Sequence, residues 1–135
     1  MVDLKSGAKL LLQSQNIIVK SYDSTPNVLD DLEKLVFTDY AVALGNYTSE
    51  RKLFAAGIDK IYHRLELIII LKSQTAKDTV IEIVNNIQKL LRLKSFTSPT
   101  LSISEVTTQS ELIEYNARIN YLLLELRATE FEQLQ

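Results

Sequence analysis

The sequence predicts an α+β domain: an antiparallel or mixed sheet of about five strands, two main helices packed on one face, and a long hairpin loop. Three observations carry this reading. First, Lys60–Lys72 (KIYHRLELIIILK) sets Ile61, Leu65, Leu67, Ile69 and Leu71 on one parity. The opposite parity runs Tyr62, Arg64, Glu66 and turns apolar at Ile68 and Ile70. Side chains alternate across a strand, so this is a central strand, packed on one side throughout and contacted on the other near its end. Second, Val80, Ile83, Val84, Ile87, Leu90 and Leu91 recur at three-and-four spacing, the stripe of an amphipathic helix. Third, short β-branched runs closed by glycine or opened by proline stand on either side of this pair.

The remaining elements follow in order. Asp3 can cap a first helix through about Gln15, with Leu4, Ala8, Leu11 and Leu12 on one face. Ile17, Ile18 and Val19 form a short strand candidate. Ser24-Thr25-Pro26 starts a short helix, because proline at the first helical position lacks only an N–H that would be unpaired anyway; Leu32 and Leu35 give it an apolar side. A strand from Leu35 to Leu44 closes at Gly45. Residues 45–57 (GNYTSERKLFAAG), bracketed by glycines and polar at first, read as a flexible hairpin loop exposing Leu53 and Phe54. Thr75 with Asp78 resembles a capping box for the striped helix, and Lys89, Arg92 and Lys94 complement its dipole at the far end. Leu101, Ile103 and Val106 begin another strand, followed by a polar turn over Thr107–Glu111. The C-terminal quarter is two-fold in its pattern. Leu112, Tyr115, Ile119, Leu122 and Leu126 fit a heptad, while Tyr115, Ala117, Ile119, Tyr121 and Leu123 alternate, with a bulge near Leu122–Leu124 passing the apolar side to Leu124 and Leu126. Residues 129–135 are expected to fray.

Composition narrows the function classes. A length of 135 residues fits one domain, 1–135, with enough chain for a core. Fifteen basic against seventeen acidic side chains, with no basic tract, give specific nucleic-acid binding little electrostatic support. No cysteine is present, which removes disulfides, thiolate nucleophiles and cysteine-held metals. The N-terminal stretch has neither the apolar core of a signal peptide nor the length of a membrane span, so no membrane partner is expected. The Asn46-Tyr47-Thr48 sequon is read as chance.

Candidate chemical residues each have a plainer reading. His63 is the single histidine and lies on the core-facing parity of the long strand, so a structural role is expected rather than a catalytic base. Ser6-Gly7-Ala8-Lys9 matches a serine–lysine nucleophile pattern without its companion motifs and reads as a helix face. Asp30, Asp31 and Glu33 lack the glycine and terminal glutamate of a calcium loop. Tyr115 and Tyr121 on one strand parity suggest packing rather than base stacking. No metal, cofactor or catalytic constellation is expected. Surface for association remains: the two-sided apolar end of the long strand and the LFAAG segment before it.

Residues 60–128 resemble the tail-terminator or tail-completion proteins of long-tailed bacteriophages, including phage minor capsid proteins. The resemblance lies in IYHRLELIIILKS, then TAKDTVIEIVNNIQKLLRL, then TLSISEVTTQ and ELIEYNARINYLLLELRAT, as strand, helix, strand and closing strand. It selects a strand over a helix from Tyr115 to about Ala128. It implies a structural virion protein, made in the host bacterial cytoplasm and placed at the head–tail interface. Copies would form a ring, usually of six, that caps the finished tail tube and joins it to the head connector. Its partners would be itself, the tail tube protein and a head-completion protein. The docking residues expected from position and composition are Tyr47, Arg51, Lys52, Leu53 and Phe54 in the loop, with Ile68 and Ile70 on the open sheet side. The alternative is a small acidic chaperone or adaptor dimer that holds an extended peptide on its sheet.

Overall fold

The structure, a computed structural model, describes residues 4–21, 37, 39–92 and 101–133, with the backbone alone described at 101–104. The elements are α1 (Leu4–Ser14), β1 (Ile18–Ser21), β2 (Tyr40–Ala55), β3 (Ile58–Lys72), α2 (Lys77–Leu91), β4 (Leu101–Thr108), β5 (Ile113–Glu114) and β6 (Ile119–Gln133). The helix expected from Ser24, the Asp3 cap and Lys94 lie outside the described residues. One mixed sheet runs β1-β2-β3-β6-β4, with the two-residue β5 paired to β6. The β1–β2 pair is parallel and every other pair antiparallel. The fold is the α+β arrangement that the alternation in β3 and the stripe of α2 require.

Each helix seats its apolar stripe on the face of β3 that bears Leu65, Leu67, Ile69 and Leu71. Leu4, Ala8 and Leu12 of α1 and Val80, Ile83, Val84, Ile87 and Leu91 of α2 join these leucines, with Leu122, Leu124 and Leu126 from β6, in one buried cluster. Burying a leucine or isoleucine fully contributes about 1.5–3 kcal/mol, so this layer is the main source of stability. The end of α1 has a clear physical cause. Asn16 takes a left-handed φ of 62°, its N–H donates to the Gln13 carbonyl at 3.0 Å, and the Ile17 N–H donates to Leu12 at 3.3 Å. That is a Schellman closure with asparagine in the usual glycine place, sealed by Ile17 and Leu12 in the core.

The opposite face of β3 is apolar only at its end. Ile68 and Ile70 cluster with Phe37, Ala41, Ala43 and Ile119, and Tyr115, Tyr121 and Leu123 pack against them. Tyr115 and Tyr121 meet edge-to-face, with ring centroids 6.3 Å apart.

Several expectations are corrected. Residues 45–57 are not a loop: β2 continues to Ala55 and turns through Ala56 and Gly57 directly into β3. A register shift between Leu44 and Tyr47 inserts one extra residue, so apolar residues before the bulge and polar ones after it share a face. The C-terminus does not fray at residue 129, since β6 pairs with β3 through Gln133. β6 starts at Ile119 rather than Tyr115, because the Asn116 side chain accepts from the Arg118 and Ile119 N–H groups and folds that stretch into a turn. No bulge interrupts β6 against β3; the irregularity lies in β4, between Ile103 and Glu105. Nor does Thr75 cap α2. The N-cap is Ala76 without a side-chain bond, and the Thr75 N–H closes the preceding turn onto Lys72 at 3.0 Å.

Candidate docking surface

Past the bulge, β2 from residue 47, the first half of β3 and the last third of β6 form the distal arm of the sheet, with β4 paired to β6 as far as Glu130. The face of this arm opposite the helices is set by β3 parity: Lys60, Tyr62 and Arg64 point one way, Asp59, Ile61 and His63 the other. Lys60 pairs across the sheet with Lys52 on β2 and Phe131 on β6. Its ammonium therefore lies among three rings, 5.2 Å from Tyr62, 5.6 Å from Phe131 and 5.9 Å from Phe54. Phe54 and Phe131 meet edge-to-face at 5.0 Å, and Lys52 stands 5.5 Å over Tyr62. These rings are not core: Phe54 is 61% exposed, Phe131 44% and Tyr62 40%. The result is an aromatic platform with cations held over it. It continues into an open groove of about 740 Å³ lined by Lys52, Lys60, Tyr62, Arg64, Arg127 and Thr129 among others.

The groove is bordered by a charge network. Glu125, 2% exposed, accepts from Arg64 at 2.8 Å and from Arg127, which also reaches Glu105 at 3.7 Å. Burial alone would raise the Glu125 pKa, but the bond and charge of Arg127, with Arg64 behind it, outweigh that and hold the carboxyl below its ordinary range. These arginines are thus engaged within the sheet.

On the helix-side face of the arm, His63 has a fully buried side chain between two partners. Its Nδ1 lies 2.5 Å from the Tyr47 hydroxyl and its Nε2 3.0 Å from Glu130 Oε1. Both ring nitrogens are thus occupied by side-chain partners, and the imidazole has no exposed surface. The arrangement ties β2, β3 and β6 together. Nearer the tip, Arg51 bridges Asp59 at 3.3 Å and Glu132 at 3.1 Å on this same face. The Glu132 hydrogen bond, then that of Asp59, raises the Arg51 pKa above its ordinary value.

The sequence-expected docking residues therefore separate. Lys52 and Phe54 belong to the platform, whereas Leu53, also exposed at the tip, pairs with Asp59 on the opposite parity. Arg51 is a clamp on the other face, and Tyr47 is half-buried against His63. Ile68 and Ile70 are buried, 6% and 0% exposed, and are not free for a partner. Lys60, Tyr62 and Phe131 were not expected as docking residues. Strand alternation in β3 marks the first two; Phe131 lies in a polar tail whose strand character comes only from pairing with β3. Among the described residues no group of three or more metal-ligating side chains occurs, and no helix is long and apolar enough to cross a membrane. The chain matches no known protein-family model and no curated protein.

Proposed function

We propose that this chain is a structural virion protein of the tail-terminator type, which caps a phage tail tube and joins it to the head connector by ring formation. The observation that carries the reading is the exposed platform of Phe54, Tyr62 and Phe131 around Lys60, at the distal end of the sheet. Large rings left in water on a sheet face are binding equipment: aromatic anchors with a cationic rim are the usual energetic centre of protein interfaces. The resemblance of residues 60–128 to tail-completion proteins, in their strand–helix–strand–strand order, supports the virion setting. In such a ring each contact can be weak, since a tube end presents repeated sites and the contacts combine through effective concentration.

The test pairs assembly with fold. A Phe54→Ser/Phe131→Ser variant should keep the wild-type circular dichroism spectrum and a cooperative melt, yet fail to cap purified tail tubes in electron micrographs. Capping at wild-type efficiency by that variant would remove the platform from the interface. A stable dimer that binds extended peptides and ignores tube ends would replace the reading with the chaperone or adaptor alternative.

A further inference from the structure

Resting on the assembly reading above, we infer that the platform's occupant is the outer ridge of α2 on a second copy of this chain. α2 buries Val80, Ile83, Val84, Ile87 and Leu91 against the sheet, which leaves Ile81 on the solvent side, 50% exposed. Around Ile81 lie Asp78, Glu82, Asn85 and Asn86, together lining a shallow depression. Asp78 and Glu82 are one helical turn apart, a like-charge spacing that weakens a helix slightly, and neither forms an ion pair among the described residues. The ridge is one apolar side chain rimmed by two uncompensated carboxylates. The platform is its converse: apolar rings carrying Lys52 and Lys60. Lys60 has no carboxylate partner among the described residues, and Lys52 has only the exposed Glu50 at 3.7 Å. Docking seats Ile81 among the rings and places Asp78 and Glu82 against the two lysines, so apolar and charged parts match together.

The topology forbids the contact within one molecule. The platform lies on the even-numbered face of β3 at the arm, while α2 packs on the odd-numbered face over Leu65–Leu71. Each copy therefore offers one platform and one ridge on opposite faces. A contact between unlike surfaces is heterologous and leaves both bound copies with a free surface, so it propagates until rotation closes it into a ring.

The absence of native cysteine allows a clean test in the full chain. Thr129→Cys places a thiol beside the platform and Asn85→Cys one beside the ridge, and neither removes a ring or a charge. Each variant is purified alone, then mixed with the other at high concentration under mild oxidation. The mixture should give the 129–85 disulfide, identified by mass spectrometry, at least about tenfold above the homodimer of either variant alone. Adding Lys52→Glu/Lys60→Glu to the platform variant should abolish the product, and Asp78→Lys/Glu82→Lys on the ridge variant should restore it. Homodimers of the Thr129→Cys variant at equal yield would overturn the inference in favour of platform-to-platform pairing, as would no cross-link at all. The two readings fail separately: cross-linking without tube capping discards the tail setting and keeps the contact, whereas capping without the 129–85 bond does the reverse.

Discussion

Two buried polar groups decide the residue scale, because each lies where a wrong side chain would leave a charge without a partner. In His63→Ala, Glu130, only 5% exposed, loses the imidazole and stays under the sheet as an orphan carboxylate. The expected loss is about 2–4 kcal/mol in urea unfolding, and Glu130→Gln in the same background should recover part of it by removing the charge. A loss under about 0.5 kcal/mol would mean the imidazole is not a strut. Glu125 makes the pH-dependent case. Its pKa is depressed in the folded chain, so its contribution is fully present above the unfolded value of about 4.3. It is lost as pH falls through the folded value. Glu125→Gln should therefore be less stable than wild type by about 1–2 kcal/mol at pH 7, with the gap closing as pH falls below the unfolded carboxyl range. A gap that stays constant with pH would show that shape, not charge, is what Glu125 supplies.

At the scale of elements, the β2–β3 hairpin carries the argument. Gly57 sits in its turn with φ 75°, the left-handed region that a Cβ makes costly. Gly57→Ala should destabilise the turn by about 1–2 kcal/mol, read as faster hydrogen exchange at Leu53–Asp59 while the strand ends near Leu67–Leu71 keep their protection. Unchanged exchange at the tip would mean that the turn relaxes freely. The same hairpin shows why its distal half was not legible in the sequence. Residues 48–55 are exposed on both faces, so no apolar alternation marks them as strand, and the bulge after Leu44 breaks the parity that Val42 and Leu44 establish. Only pairing to β3 makes them a strand, and pairing is a non-local property. By contrast β3 and α2 read directly, because each has a buried side with its own period. β6 was ambiguous for the opposite reason: with both Leu122–Leu124–Leu126 and Ile119–Tyr121–Leu123 facing apolar clusters, a two-sided strand looks like a helix or a bulge. On the candidate site, Leu53 and Phe54 were visible as lone apolar residues in polar text. Their ring partners were not, since Phe131 is 77 positions from Phe54 and the register alone brings them together.

The whole molecule divides its stability unevenly, and that division bears on how it could assemble. The helices share one core with Leu65, Leu67, Ile69 and Leu71 of β3 and Leu122, Leu124 and Leu126 of β6, whereas the distal arm has few buried apolar side chains, Ile61 among them, with the His63 and Arg51 ties. Free energies of local opening follow buried apolar area, so the arm should open without the core. Hydrogen exchange of the free protein should then show slow, globally limited amides across Leu67–Leu71 and Leu122–Leu126, and faster exchange over residues 49–60 and 129–133. The edge of β2 past Leu44 has no strand partner among the described residues, and Glu50, Arg51 and Lys52 lie along it, charges that discourage indiscriminate strand pairing while the arm is free. Docking at the platform would remove water from three rings and order the three strands that carry them. Under conditions of assembly, protection should therefore rise at residues 52–62 and 129–133, with the core amides unmoved. Equal protection of arm and core in the free protein would show a rigid arm, and assembly would then have to act on side chains alone.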